Sequence, residues 1–169
     1  MLQTFIHFSS YAVKDFTGDE ICIKNLENAI KDFYNDPTQG KLAIPLILPS
    51  LSLLEEKHIV MIFIDKDTNS LEYFDSKGIT SENRYLKAKN KMSDVLSSLK
   101  KVFPNKNDII IQENASVLQM DCHNCGAYIT WFAARRLQDN ATNIIKKGIS
   151  SNEIRVFRKG MKAGILPPG

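Results

Sequence analysis

No apolar run in this chain approaches the roughly 18 residues that a membrane-spanning helix requires. The opening MLQTFIHFSSY lacks both a basic start and a small-residue cleavage pattern, so no signal peptide is expected. Cysteine is scarce and odd in number, at three residues, which argues against a disulfide framework and favours a reducing compartment. There are also only three histidines, so chemistry that needs an imidazole has few places to find one. Basic residues nearly balance acidic ones, 22 against 19, and a net charge of +3 is too small to make nucleic acid the main partner. Neither repeats nor low-complexity stretches nor Gly/Ser linkers divide the 169 residues, so a single domain is expected.

What is there reads as alternating helices and strands. Residues 17–34 carry a capping box, Thr17 to Glu20, and place Ile23, Leu26, Ile30 and Phe33 on one helical stripe. LAIPLILPS is apolar but interrupted by Pro45 and Pro49, which predicts an extended segment or an edge at best. HIVMIFID, 58–65, is apolar on both parities, as a central strand covered on both faces would be. SLEYFDS, 70–76, follows across the polar turn KDTN, a hairpin signature. A helical stripe from 84 to about 103, a strand at 108–113, a nearly all-apolar helix at 125–137 and a capped last helix from Ser150 complete the order. Arg155, Arg158, Lys159 and Lys162 on that last helix read as a solvated basic face. The expected fold class is α+β, a small mixed sheet flanked by helices.

The segment LQMDCHNCGAYITWF, 118–132, concentrates the chemistry. Cys122-His123-Asn124-Cys125 is a CxxC pair, but a redox pair of that kind belongs after the first strand of a βαβ unit, and the upstream order is wrong. A zinc site built on Cys122, Cys125 and His123 or His58 lacks the second paired knuckle that structural zinc normally uses. A cysteine nucleophile needs a distant base and an orienting carboxylate, and His58 and Asp75 supply them through hairpin geometry. With the loop centred at 66–67, residue 58 faces 75 directly. Centred at 67–68, it faces 77 and leaves 75 diagonal on the same face. Either register brings imidazole and carboxylate within reach, whereas a one-residue slip separates them. Cys125, opening the buried helix, gains from the positive end of the helix dipole. Its own amide and the Gln119 side chain are candidate donors to an oxyanion, and Gly126 allows a substrate close to the backbone. Cys122 and Cys22 read as structural, and Trp131 and Phe132 as core.

Taken together, HIVMIFIDKDTNSLEYFDS and QMDCHNCG resemble the ubiquitin-like-protein proteases, the SUMO-protease type of cysteine peptidase (clan CE), including deubiquitinases used as effectors by intracellular bacteria. The resemblance covers about 44–166 and implies a papain-like or adenain-type fold with the nucleophile at the start of a buried central helix. It implies His58 as general base, Asp75 as orienting acid, Gln119 as oxyanion-hole glutamine and Cys125 as nucleophile. A helical region at 1–43 is expected to face substrate, ahead of a triad-bearing core at 44–169. Ile59 stands where many eukaryotic members carry Trp over the substrate's Gly-Gly tail, and Asn124 where Asp is common. Glu55, Glu56 and Asp121 flank the cleft in sequence and suit an arginine-bearing tail. The implied activity is thiol isopeptidase cleavage after the terminal glycines of ubiquitin, SUMO or NEDD8, by a monomer without cofactor, in the cytoplasm or delivered to a host cytosol. A YopJ-type acetyltransferase using acetyl-CoA, and a non-catalytic module that grips a ubiquitin-like tail, are the alternatives.

Overall fold

The strand His58–Asp65 sorts its side chains to two faces, and the rest of the molecule is organised around that division. In the computed structural model, which describes residues 11–12, 20–48, 58–78, 96–97, 99–104, 107–114, 118–119, 124–138 and 149–163, five strands form one sheet. These are β1 Tyr11–Ala12, β2 Lys41–Leu48, β3 His58–Asp65, β4 Ser70–Phe74 and β5 Ile110–Glu113, in spatial order 1-2-3-4-5. The pairs β2–β3 and β3–β4 are antiparallel, and the outer pairs β1–β2 and β4–β5 are parallel. Val60, Ile62 and Ile64 bury against helix α1, Glu20–Asn35, through Leu26, Ile30 and Phe33, with Leu96, Leu99 and Phe103 on the same side. Met61 and Phe63 bury against helix α2, Cys125–Gln138, and helix α3, Ser151–Lys162. Helices thus cover both faces of a mixed sheet. This is the expected α+β class. No helix among the described residues is long and apolar enough to cross a membrane.

β2 departs from the expected edge. It is flanked by β1 and β3 and runs eight residues with Pro45 inside it. β1 pairs only at Leu46 and Ile47. Pro45 therefore sits opposite Met61 of β3, just before the stretch that β1 covers.

The hairpin turn sets the register. Asp65 pairs with Ser70 and Met61 with Phe74. The four-residue loop is closed by the Asp67 N–H donating to Asp65 Oδ1 at 3.0 Å and the Asn69 N–H donating to the Lys66 carbonyl at 3.3 Å. Asn69 takes φ 46°, a left-handed conformation that Asn tolerates better than most residues. This is the register centred at 67–68, in which Asp75 falls diagonal to His58.

The last helix starts with the expected capping box: the Glu153 N–H donates to Ser150 Oγ, and Glu153 Oε2 accepts the Ser150 N–H. α2 is held on the sheet by Phe132, stacked on Phe74 with centroids 4.4 Å apart and edge-on to Phe63 at 6.1 Å. Such pairs add about 0.5–1.5 kcal/mol beyond their buried area.

At its far end, α2 carries a feature that the sequence pattern did not suggest: Arg136 is fully buried. Its Nε donates to Glu72 Oε2 at 2.8 Å, and its Nη2 lies 2.7 Å from Glu72 Oε1 and 3.4 Å from Asp65 Oδ2. Removing one partner of such a buried cluster leaves uncompensated charge in a dry site. Arg136→Ala is therefore expected to lower unfolding stability by about 3–5 kcal/mol. The measurement is a shift in urea midpoint at unchanged m-value, and a loss below 1 kcal/mol, roughly what an exposed pair gives, would contradict it.

Candidate active site

Asp75 is the first residue past β4, and three contacts aim its carboxylate. Its N–H donates to Asn114 Oδ1 at 2.7 Å, and its carbonyl accepts from Asn114 Nδ2 at 2.6 Å. Oδ1 accepts the Lys77 N–H at 2.8 Å, an Asx turn that fixes the side chain on its own backbone. The same oxygen meets His58 Nε2 at 2.7 Å. His58 and Asp75 are 5% and 6% exposed, so this bond forms largely out of water, where it is strongest.

Cys125, the first residue of α2, is a free thiol, 8% exposed. Burial pushes the thiol up. Hydrogen bonds from His58 and from the main chain at Ile59 and Gly126, with the His58 charge, outweigh burial and hold it below the usual thiol value. Burial likewise works to lower His58, but hydrogen bonds and charge from Asp75 and Cys125 push it up to about 9. The two shifts have one cause. Each group stabilises the charged form of the other, which shifts the pair toward thiolate facing imidazolium.

Gln119 reaches the same region through a different element. The Leu118 and Gln119 N–H groups donate to the Ser76 carbonyl at 2.9 and 2.8 Å, and Ser76 Oγ donates to Gln119 Oε1 at 2.6 Å. Tyr128, on the first turn of α2, donates its hydroxyl to the Leu118 carbonyl at 2.9 Å. Residues 118–119 are thereby tied both to the turn after Asp75 and to the helix that carries Cys125.

The expected substrate-contact residues fall into two groups. Ile59 packs by its side chain against the α2 layer, and its main chain touches the thiol. Asn124 precedes the helix, accepts the Tyr128 N–H at its carbonyl and takes a hydrogen bond from Arg158 of α3 at its side chain. A methyl at Gly126 would meet nothing within 4 Å, so packing among the described residues does not require glycine there. Glu55, Glu56, Asp121, Cys122 and His123 lie outside the described residues. Among the described residues, no group of three or more His, Cys, Asp or Glu is arranged to hold a metal. Asn114 and Ser76 were not foreseen. Ser76 stood in the quoted YFDS, but Asn114 acts on a residue 39 positions away, and nothing local marks it.

No protein-family model matches the sequence, and no curated protein matches it either. Solved structures do. Cdu1 of Chlamydia trachomatis, an effector protein bound to ubiquitin, superposes with TM-score 0.60 over 96% of this chain and 87% of its own, at 14% identity. ChlaDub1 from the same organism gives 0.59 over 91% and 83%, at 16% identity. The likeness shows that this chain shares the fold of these solved structures. The protease of ASFV is similar at 24% identity with TM-score 0.51, and there the match spans 71% of this chain but only 43% of the viral protein.

The charge coupling between His58 and Cys125 has a direct readout. Alkylation of Cys125 by iodoacetamide is expected to rise with pH with a midpoint below the ordinary thiol value. In His58→Ala, burial is left without its main opponent, and the midpoint should rise to that value or above it. Superimposable pH–rate curves for the two proteins would show that the imidazole does not set the thiol's acidity.

Proposed function

We propose that this chain is a thiol isopeptidase that cleaves after the terminal glycines of ubiquitin or a ubiquitin-like modifier, with Cys125 as nucleophile, His58 as acid–base, Asp75 as its orienting partner and Gln119 as an oxyanion donor. The observation that carries the reading is His58, joined to Asp75 by a 2.7 Å bond and raised to about 9 while the Cys125 thiol is lowered. A histidine held as imidazolium beside a thiolate supports acyl transfer in both directions. The sulfur attacks the carbonyl carbon, and the carbonyl electrons move to oxygen. On collapse, His58 gives its proton to the leaving lysine amine. Neutral His58 then takes a proton from water, which attacks the thioester and restores the thiolate.

The likeness in fold to Cdu1, whose structure holds ubiquitin, supports ubiquitin or a relative as the substrate class. The likeness to an effector protein likewise supports action in a host cell. The space that the described residues leave open at Gly126 supports an extended glycine tail, since the narrowest peptide backbone fits where no side chain intrudes.

Three outcomes test the proposal. Cys125→Ala should abolish covalent labelling by electrophilic ubiquitin, SUMO and NEDD8 probes while folding normally, and the strongest labelling of wild type names the modifier. Labelling of that variant at wild-type rate would remove Cys125 from the mechanism. The pH profile of kcat/KM should be bell-shaped. On the acid side activity is lost as the thiolate protonates, below the ordinary thiol value. On the alkaline side it is lost near pH 9, as His58 gives up the proton the leaving group needs. An alkaline limb at pH 6.5–7 would contradict a raised His58. Finally, Gly126→Ala should fold normally yet lower kcat/KM about tenfold or more, on the scale of a misplaced reacting centre. Unchanged turnover would free that space from any role in substrate binding.

A further inference from the structure

A carboxamide is a two-ended group: one end only accepts hydrogen bonds and the other only donates. An oxyanion is stabilised by the donor end and repelled by the other. For Gln119 the end that faces the reaction therefore matters as much as its presence. Gln119 is 3% exposed, so solvent does not average its orientation.

Ser76 is fully buried, and its Oγ donates to Gln119 Oε1 at 2.6 Å. That bond occupies the acceptor end and leaves Nε2 as the end directed elsewhere. The Ser76 carbonyl meanwhile accepts the N–H groups of both Leu118 and Gln119. One residue therefore fixes the position of the 118–119 backbone and the sense of the Gln119 side chain. It is also the neighbour of Asp75, itself gripped by Asn114 at both its N–H and its carbonyl. The acid that orients the imidazole and the residue that orients the carboxamide are consecutive in one rigid turn.

We infer that Ser76 is a positioning residue whose hydroxyl selects the carboxamide orientation of Gln119, presenting Nε2–H to the oxyanion. This rests on the role given to Gln119 in the proposed function. A Gln119 flipped by 180° would present oxygen to oxygen and raise the barrier it is there to lower.

The test compares two reactions of Cys125 that need no natural substrate. Iodoacetamide is attacked at a saturated carbon: the S–C bond forms as iodide leaves, and no oxyanion arises. p-Nitrophenyl acetate is attacked at a carbonyl. The S–C bond forms as the carbonyl electrons move to oxygen, and collapse of that oxyanion expels p-nitrophenolate, leaving an acetyl thioester. Ser76→Ala should slow acetylation by about tenfold or more, part of the 10²–10³ that loss of a whole oxyanion donor costs, while alkylation stays within about twofold of wild type. Gln119→Ala should show the same split. The double variant should be no slower than Gln119→Ala alone, because Ser76 acts only through Gln119. Gln119→Glu, which keeps an acceptor for Ser76 but replaces the donor end with oxygen, should lose at least as much acetylation as Gln119→Ala. Equal losses in both reactions, no loss in either, or multiplicative losses in the double variant would each overturn the inference. Failure of the isopeptidase reading has a separate signature, the absence of labelling by every modifier probe.

Discussion

The pairing of Asp65 with Ser70 at the tip of the β3–β4 hairpin is a single contact between neighbours in sequence, yet the site depends on it. Side chains alternate along a strand, so a slip by one residue would turn His58 and Asp75 to opposite faces. The Asp65 and Lys66 bonds that close the loop, and an Asn at the position with positive φ, hold the register at the turn, well away from the chemistry. With the register set, the 2.7 Å bond between His58 and Asp75 follows from strand geometry and the Asx turn at Lys77.

Cys125 is placed by a second set of constraints. α2 lies across the face of β3 that carries Met61 and Phe63, and the Phe74–Phe132 stack locks it beside the strand end from which Asp75 projects. Arg136, near the other end of α2, anchors it to Glu72 and Asp65. A buried ion cluster of this kind contributes little net stability compared with a well-packed apolar one, because desolvation offsets the Coulombic gain. What it supplies here is direction. Sliding the helix along the sheet would part the guanidinium from Glu72 and Asp65 inside a buried site, a cost that an apolar contact would not impose.

Burial opposes charge on both Cys125 and His58, yet both groups are shifted toward their charged forms. Desolvation is the largest single influence on Cys125 and on His58, and each time it works against the charged form. Several short-range interactions together outweigh it: the Asp75 carboxylate and the Cys125 sulfur acting on His58, and His58 with the main chain at Ile59 and Gly126 acting on Cys125. Deleting one member exposes the others to an uncompensated burial penalty. This is why losses among such groups do not add.

Much of this was legible from the residues alone. Apolar residues on both parities marked 58–65 as a doubly covered strand, and an apolar run opening at Cys125 marked the buried helix, because burial dictates side-chain polarity at fixed periods. The spacing from His58 to Asp75 restricted their meeting to two hairpin registers, but the choice between those registers lay in turn bonds that no periodicity encodes. Long-range partners were equally out of sight. Asn114 gripping Asp75, Ser76 orienting Gln119 and Arg136 buried against Glu72 join elements that only the packed sheet brings together. Pro45 misled in the same way, since whether a missing N–H is harmful depends on which neighbour lies on that side of the strand. Local pattern determined the doubly covered strand at 58–65, the buried helix opening at Cys125 and the capped last helix, because each shows in the polarity of near neighbours. Tertiary structure decided which polar groups answer one another, because a hydrogen bond depends on distance in space and not on separation along the chain.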